Sequence, residues 1–187
     1  GGHLALAAEA WTRLVRTYSH RLGKFPEAHR SAKHAEALLE RLGGNPVTRS
    51  ILYRYEGDLA DDENHYPEAL ELYGKALELQ TTIDDIRGQA MTLNQIAELY
   101  SAIEQAGNAR SDYRKAQEHW KTVGNSLGEA LSLYGLAKVE RQQKRFPEAR
   151  QAIVEAIAKV ESVRTSTSNY RLRTNFFEAR HDYYELE

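Results

Sequence analysis

The 187-residue chain contains no cysteine. Without a thiol it cannot form a disulfide, a thiolate zinc site or an iron–sulfur cluster, and it has no cysteine nucleophile. Strong net charge is also missing, since 25 Lys and Arg against 27 Asp and Glu leave a formal charge of −2. This near-neutral balance argues against a nucleic-acid-binding domain, whose pI usually exceeds about 9.

Long hydrophobic runs are absent as well. The apolar stretch at residues 4–8 is far shorter than the roughly 20 residues that a membrane-spanning helix needs, and it lacks the basic flank of a signal peptide. These absences favour a cytoplasmic location. The chain opens with Gly1, Gly2 and His3 and has no initiator Met, so we expect it to be part of a larger protein.

What the sequence does contain is an internal repeat. The motif aromatic-Pro-Glu-Ala occurs at residues 25–28, 66–69 and 146–149, with a degenerate copy at 106–109. The last residues of these four copies are spaced by 41, 40 and 40 residues, and each is followed seven residues later by a second alanine: Ala35, Ala76, Ala116 and Ala156. Two sets of alanines with the same spacing indicate a repeated structural unit of about forty residues.

The repeat unit reads as a pair of helices. The first copy contains the spacing W-x2-L-x3-Y at Trp11, Leu14 and Tyr18. Apolar residues at the same spacing recur in the third copy, at Leu93, Ile96, Ala97 and Tyr100, and in the fourth, at Leu133, Leu136 and Ala137. In the second copy, Gly57 takes the position of the small residue. Spacings of three, four and seven residues place side chains on one face of a helix.

Turn-forming residues separate the predicted helices. Pro26, Pro67 and Pro147 fall where the first turn of a second helix begins, a position at which proline is tolerated because that turn has no intrahelical partner for an N–H group. Gly23 fits a helix C-terminus, and residues 43–46, 84–85 and 124–126 separate one helix pair from the next.

This combination of W-x2-L-x3-Y, a later alanine and a following bulky residue resembles the tetratricopeptide repeat, in a long form similar to that of kinesin light chains. The resemblance implies an all-α fold, a right-handed α-solenoid of four helix hairpins with a C-terminal capping helix. The hairpins would occupy residues 4–43, 46–83, 86–124 and 126–165, and the capping helix residues 166–187. The third copy departs from the pattern by lacking proline at its turn, and the first has Ala32 where the others have a larger residue.

The last segment carries a second resemblance. Residues 172–186, which include Phe176 and Tyr183, resemble a segment that joins tetratricopeptide arrays to the caspase-like peptidase of bacterial CHAT-domain proteins. The resemblance implies a peptidase domain with a His–Cys pair beyond residue 187, in intramolecular contact with the array. No catalytic residue can be assigned within this chain, so we expect it not to be an enzyme.

Sites for metals and cofactors are not evident. His29 and His34 are five residues apart, whereas a helical metal pair such as H-E-x-x-H needs a spacing of four. Phosphate-binding glycine loops do not occur. The acidic run at residues 61–63 lacks the alternating ligands of a calcium loop and is interpreted as a solvated helix end. We therefore expect no cofactor and no metal.

The predicted function is the binding of a protein or peptide partner. In stacked helix pairs the first helix of each pair lines a concave face, and Arg, Lys and Asn side chains there can hold the backbone or carboxylates of an extended peptide. Mapping the repeat register gives nine candidates for that face: Arg13, Arg16, Arg54, Asp58, Asn94, Glu98, Tyr134, Lys138 and Arg141.

Three alternatives to a CHAT-type regulatory region remain open at this stage. One is a stand-alone sensor of a signalling peptide or protein, and another is an oligomeric scaffold. RNA binding is disfavoured, because the late arginines are balanced by neighbouring acidic residues: Arg164, Arg171, Arg173 and Arg180 against Glu161, Glu178, Asp182, Glu185 and Glu187.

Overall fold

The computed structural model describes residues 2–166 and contains only helices and turns over that range. The predictions for residues 167–187, which include a capping helix with buried Phe176 and Tyr183, lie outside the described residues. The described helices are α1 Gly2–Arg16, α2 Phe25–Arg41, α3 Pro46–Asp62, α4 Tyr66–Thr82, α5 Ile86–Ala102, α6 Ala106–Thr122, α7 Ser126–Gln142 and α8 Phe146–Ser166. This agrees with the predicted all-α fold class.

Short, regular turns join the helices. α1 continues into a π-helical turn, Thr17–Arg21, and each turn then contains a residue with left-handed backbone: Gly23, Gly43, Asn64, Asp84, Glu104, Gly124 and Lys144. The next amide reaches back to a carbonyl of the last helical turn; His65 N, for example, donates to the Ala60 oxygen at 2.7 Å. This Schellman arrangement satisfies carbonyl groups that the helix end would otherwise leave unpaired.

The first helices of the later pairs start from a side-chain cap. The Asn45 and Asn125 carboxamide oxygens accept hydrogen bonds from the backbone N–H groups of Thr48 and Gly128, at 3.2 and 2.9 Å. The Asp85 carboxylate caps α5 in the same way. Such caps typically contribute about 1 kcal/mol each to helix stability. They fix where each first helix begins and therefore which side chains share a face.

Close approach of helices depends on glycines opposite aromatic rings. A Cβ built on Gly57 would lie 2.6 Å from the Tyr73 ring, and a Cβ on Gly135 or Gly128 would overlap the rings of Tyr113 or Trp120. Each ring therefore packs directly against the backbone of a glycine, where no side chain intervenes. This contact brings α3 close to α4, and α7 close to α6.

The boundary between two compact units falls between Gln95 and Ile96, inside α5. The core of the first unit is built from small and aliphatic residues: Ala8, Val15, Ala28, Ala32, Ala35, Leu39, Leu52 and Leu59. The second unit has a core of the same kind, in which α6, α7 and α8 contribute Ala109, Tyr113, Leu136, Ala137, Ala152 and Ile153. Small residues at fixed positions let the larger side chains interdigitate.

Two buried carboxylates cross-link the helices of the second unit. Glu140 on α7 is 2% exposed and receives two hydrogen bonds from the Arg110 guanidinium of α6, at 2.6 and 3.1 Å. Glu129, at the start of α7, pairs with Lys159 of α8 at 2.7 Å. A buried charge of this kind is tolerated only with such partners. These ion pairs fix the rotation of α7 about its own axis relative to α6 and α8.

The carboxylate of Glu56 on α3 is half-buried, and among residues 2–166 no salt bridge joins it to a cation. It occupies the position on its helix that Ile96 takes on α5 and Leu136 on α7, both of which are buried. Burial, and then the charge of Glu36, raise the pKa of Glu56 to about 7, and Lys75 only partly opposes this shift. The folded state therefore favours the protonated acid at a position suited to an apolar side chain.

The glycine contact yields a first prediction. Gly135→Ala should lower the free energy of unfolding by about 1–3 kcal/mol, because the new methyl group would overlap the Tyr113 ring. Gly107→Ala, in α6 of the same unit, is the matched control, since a Cβ there meets nothing within 4 Å. Urea unfolding would measure both variants. Equal stability of the two would show that the close approach does not constrain the fold.

The half-buried Glu56 yields a second prediction. Between its unfolded pKa of 4.5 and its folded pKa of about 7, the folded protein keeps a proton that the unfolded chain releases, so Glu56 reduces stability as the pH rises through this window. Glu56→Gln should therefore stabilise the protein by about 1–2 kcal/mol at pH 8 and by almost nothing at pH 4.5.

Unfolding curves at the two pH values would measure this difference. Glu78→Gln, an exposed change on α4, is the control and should leave stability nearly unchanged at both. A Glu56→Gln variant whose advantage did not grow with pH would contradict the assignment.

Candidate functional site

Each first helix of a pair has an equivalent, partly open face, and we call the residues of these faces the first-helix stripe. Its residues recur at every third or fourth position, as expected for one side of a helix. The stripe comprises Leu6, Ala10, Arg13 and Thr17 on α1 and its π-helical turn; Val47, Ile51, Arg54 and Asp58 on α3; Arg87, Met91, Asn94 and Glu98 on α5; and Leu127, Leu131, Tyr134 and Lys138 on α7.

Seven of the nine residues predicted from the sequence lie on this stripe, and the other two, Arg16 and Arg141, lie one turn beyond Arg13 and Lys138. Their exposure differs. Arg13, Arg16, Glu98, Lys138 and Arg141 are exposed, and Asp58 and Tyr134 are half-buried. Arg54 and Asn94 are buried, with only 9% and 8% of their surface open, so little of either side chain is available to a ligand.

In the first unit, two arginines converge on one tyrosine. The Arg54 guanidinium carbon lies 4.7 Å from the centre of the Tyr55 ring, and that of Arg16 lies 5.6 Å from it. A cation over an aromatic face within about 6 Å is attracted by the ring. Arg54 also donates a hydrogen bond to the Gln95 side-chain oxygen at 3.4 Å. The Tyr55 ring therefore lies next to positively charged side chains from both α1 and α3.

Asp58 is the acidic member of this cluster. It accepts hydrogen bonds from the Tyr73 hydroxyl at 3.0 Å and from the Gln95 amide nitrogen. Burial raises the pKa of Asp58 to about 6, although the charge of Arg54, the Tyr73 hydroxyl and the charge of Arg16 act in the opposite direction. The carboxylate is therefore held inside the cluster by three helices and changes charge close to neutral pH.

In the second unit, the stripe combines an aromatic ring with two cations. The Lys138 ammonium lies 5.7 Å from the centre of the half-buried Tyr134 ring, and Arg141 extends from the next turn of α7. Glu98 is exposed on α5, and its charge adds to the effect of burial in raising the pKa of Tyr113. The hydroxyl of Tyr113 therefore stays neutral. The exposed charged groups of the stripe in this unit are Glu98 and Lys138, and Arg141 lies one turn beyond Lys138.

Four residues of the site were missed from the sequence. Tyr55 and Gln95 each directly follow a predicted residue, but only the structure shows that they connect Arg16, Arg54 and Asp58. Leu127 and Leu131 are exposed on the same side of α7 as Tyr134. Plotting α7 at about 100° per residue would have revealed the two leucines, because the pattern of the helix alone places them there.

Among residues 2–166, no three His, Asp or Glu side chains lie together as a metal site. No helix in that range is both long and apolar enough to cross a membrane. An open cavity of about 780 Å³ lies along α8, where residues of that helix alone line it, among them Phe146 and Val154.

The Asp58 cluster yields a third prediction. Tyr73→Phe removes a hydrogen bond that favours the ionised carboxylate, so the pKa of Asp58 should rise above about 6. Carboxyl-carbon NMR titration would follow Asp58 directly. Tyr66→Phe is the matched control, because its hydroxyl donates to Asn64 instead. An unchanged Asp58 titration in Tyr73→Phe would show that the hydroxyl does not tune this group.

Comparison with known proteins agrees with the fold. Residues 88–162 match the tetratricopeptide repeat family, and no curated protein sequence matches the chain. Among solved structures, the chain is similar to a signal-transduction ATPase with a tetratricopeptide repeat sensor from Pyrococcus horikoshii, with a TM-score of 0.73 and 22% identity over 90% of this chain. It also resembles the apo form of RapI, with a TM-score of 0.74 and 18% identity over 85% of this chain.

A third similar structure is a kinesin light chain-like protein of Podosopora anserina, with a TM-score of 0.60 and 16% identity over 95% of this chain. The chain spans 25% of the length of the archaeal ATPase, 57% of RapI and 90% of the kinesin light chain-like protein. At these identities the likeness concerns the fold. The match to the tetratricopeptide repeat family covers residues 88–162, and the similar structures share the fold of stacked helix pairs.

Proposed function

We propose that the array is a non-catalytic scaffold that binds a protein or peptide partner along the first-helix stripe. One observation carries this proposal. On α7, ten of the seventeen residues are buried, and among the remainder are the four stripe residues Leu127, Leu131, Tyr134 and Lys138. The surface that α7 offers to a partner is therefore mainly the stripe.

The chemistry of the stripe suits an extended peptide. Arg13 and Arg16 in the first unit, and Lys138 and Arg141 in the second, are exposed cations that can pair with carboxylates. Tyr55 and Tyr134 add aromatic surface beside them. Tyrosine and arginine are enriched among the residues that dominate binding energy at protein interfaces.

On a finer level, we propose that the array is the sensing region of a larger protein with a CHAT-type caspase-like peptidase. Support comes from the resemblance of residues 172–186 to the segment that precedes such peptidases. Further support comes from the archaeal ATPase, in which a similar fold is described as a sensor within a much longer signalling protein. In this arrangement, partner binding on the stripe would control the attached domain.

The parent reading frame tests the finer proposal. A following domain with a His and a Cys would identify the array as a regulatory region, and proteolysis should then respond to partner binding. A reading frame that ends soon after Glu187 would contradict the peptidase and favour a stand-alone sensor of a peptide or protein.

Binding on the stripe yields a fourth prediction. Selection of a displayed random 12-residue peptide library against the whole chain should enrich binders whose affinity depends on stripe cations. The combined variant Arg13→Ala, Arg16→Ala, Lys138→Ala and Arg141→Ala should weaken them at least tenfold, since charge-assisted hydrogen bonds contribute about 1.5–3 kcal/mol. Fluorescence anisotropy would measure the affinities.

The control variant removes equally exposed charges from the second helices, at Lys33 and Arg114. It should bind the selected peptides like the parent chain. Failure to enrich any peptide, or equal losses in both variants, would overturn peptide binding at the stripe.

A further inference from the structure

The turn between α7 and α8 differs in charge from the equivalent turns of the array. Residues 141–146 read RQQKRF, and all six are exposed. At the same repeat positions, residues 61–66 read DDENHY and residues 101–106 read SAIEQA. The positive charge is therefore a property of this turn and not of the repeat, and we call residues 141–146 the basic turn.

The backbone of the basic turn is held by hydrogen bonds. Lys144 has a left-handed backbone, with φ of 59°. Its N–H group donates to the Arg141 carbonyl oxygen at 3.0 Å, and the N–H group of Arg145 donates to the Glu140 carbonyl oxygen at 2.9 Å. The turn thus presents its side chains from a fixed backbone, which lowers the ordering cost when a partner binds.

Three cations on and beside the basic turn are not neutralised by a neighbouring acid in the part of the chain that the structure describes. No salt bridge within residues 2–166 involves Arg141, Lys144 or Arg150. Arg145 differs, since it pairs with Glu148 at 2.9 Å. The surface around the turn therefore keeps a net positive charge.

Acidic side chains border these cations without pairing with them. Glu155 of α8 lies toward α6, where the Gln117 amide nitrogen donates a hydrogen bond to it at 3.4 Å. Glu104 is exposed on the α5–α6 turn, next to which the Ser101 hydroxyl donates to the Gln142 side-chain oxygen at 3.1 Å. A partner that meets the basic turn therefore needs negative charge of its own.

Two apolar side chains accompany the cations. Phe146 is 61% exposed, whereas Phe25 and Tyr66, at the same repeat position, are half-buried. Val154, two turns further along α8, is 49% exposed at the position that Arg114 takes on α6. Exposed apolar groups bordered by polar ones mark an interaction surface.

The apolar and cationic groups share one side of a single helix. Phe146, Arg150 and Val154 follow one another at intervals of four residues along α8. Among residues 2–166, all those that line the open cavity of about 780 Å³ on this side belong to α8. Pockets for small ligands are concave and enclose most of the ligand. One helix side offers a broad surface and suits a flat partner.

A bilayer that contains anionic lipid has the matching chemistry. Aromatic side chains settle at the level of the lipid headgroups, and cations near an anionic leaflet are attracted to it. Helices that combine apolar and basic residues on one side lie in the plane of this interface. The phosphates of RNA, or a strongly acidic chain, would pair with the cations but would give Val154 no apolar environment.

We infer that the basic turn and the adjoining side of α8 attach the array to the surface of a bilayer with anionic lipid. Phe146 and Val154 enter the headgroup region, and Arg141, Lys144 and Arg150 pair with lipid phosphates and carboxylates. This contact does not require a peptide on the first-helix stripe, so the inference goes beyond the proposed function and stands apart from it.

Vesicle binding tests this surface and is the fifth prediction. The whole chain should co-sediment with vesicles of phosphatidylcholine that contain about 30% phosphatidylserine, and not with phosphatidylcholine alone. Salt at about 0.5 M should release it, because screening weakens the attraction. Lys144→Glu with Arg150→Glu should weaken binding at least tenfold, since each cation near an anionic leaflet contributes severalfold to the affinity.

The matched control reverses two exposed charges elsewhere on second helices, with Lys33→Glu and Arg114→Glu. It changes the net charge by the same amount and should bind vesicles nearly as well as the parent chain. Circular dichroism would establish that the variants are folded, which is expected because every changed side chain is exposed.

Fluorescence separates insertion of Phe146 from electrostatic adsorption alone. In Phe146→Trp, brominated acyl chains should quench the added fluorescence when the vesicles bind. Leu22→Trp places the same probe at a position that is 53% exposed on the turn after α1, and its added fluorescence should persist. Both variants keep Trp11 and Trp120 as a common background.

The outcomes decide between partners. Equal losses in the two charge-reversal variants, or unquenched fluorescence in Phe146→Trp, would overturn this contact. Polyglutamate or polyuridine that binds the parent chain more tightly than anionic vesicles do would identify an acidic chain or RNA as the partner and overturn the bilayer. Peptide binding at the stripe is measured separately, so failure of this inference is distinguishable from failure of the proposed function.

Discussion

The close approach of backbone and aromatic ring is the constraint on which the rest of this structure depends. Gly57 faces the ring of Tyr73, and Gly128 and Gly135 face the rings of Trp120 and Tyr113. Because no side chain separates them, adjacent helices come near enough for small alanines to complete the core around each ring. A helix held so closely by its neighbours, as α7 is, retains only one open side. The first-helix stripe therefore exists because the remaining sides are occupied.

Charged groups inside the array fall into two kinds. Glu140 and Glu129 have cationic partners at short distance and join α7 to α6 and α8. Asp58 and Glu56 are less well compensated, and burial raises the pKa of each toward neutrality. The paired carboxylates fix helix orientation at the cost of desolvation, a role in specificity more than in stability. The raised pKa values of the other two place the ionisation of both carboxyl groups between about pH 6 and 7.

The elements that the sequence predicted well are those set by local chemistry. The prolines at the start of α2, α4 and α8, the glycine at position 23 and the small residue at position 57 act through nearby backbone and ring contacts, so their spacing alone indicates helix pairs. Burial of Arg54 and Asn94 was not predictable in the same way. It depends on how far each side chain is covered by residues distant in sequence, such as Gln95 for Arg54. The predicted capping helix lies outside the described residues.

Among the turns that follow α2, the one between α2 and α3 differs in length from the rest. Four residues, 42–45, join α2 to α3, whereas three join each later pair of neighbouring helices. The added residue is accommodated by two consecutive glycines, Gly43 and Gly44, both with left-handed backbone. This exposed junction between the first and second helix pairs is a natural place at which an inserted sequence could be tolerated without disturbing the neighbouring repeats.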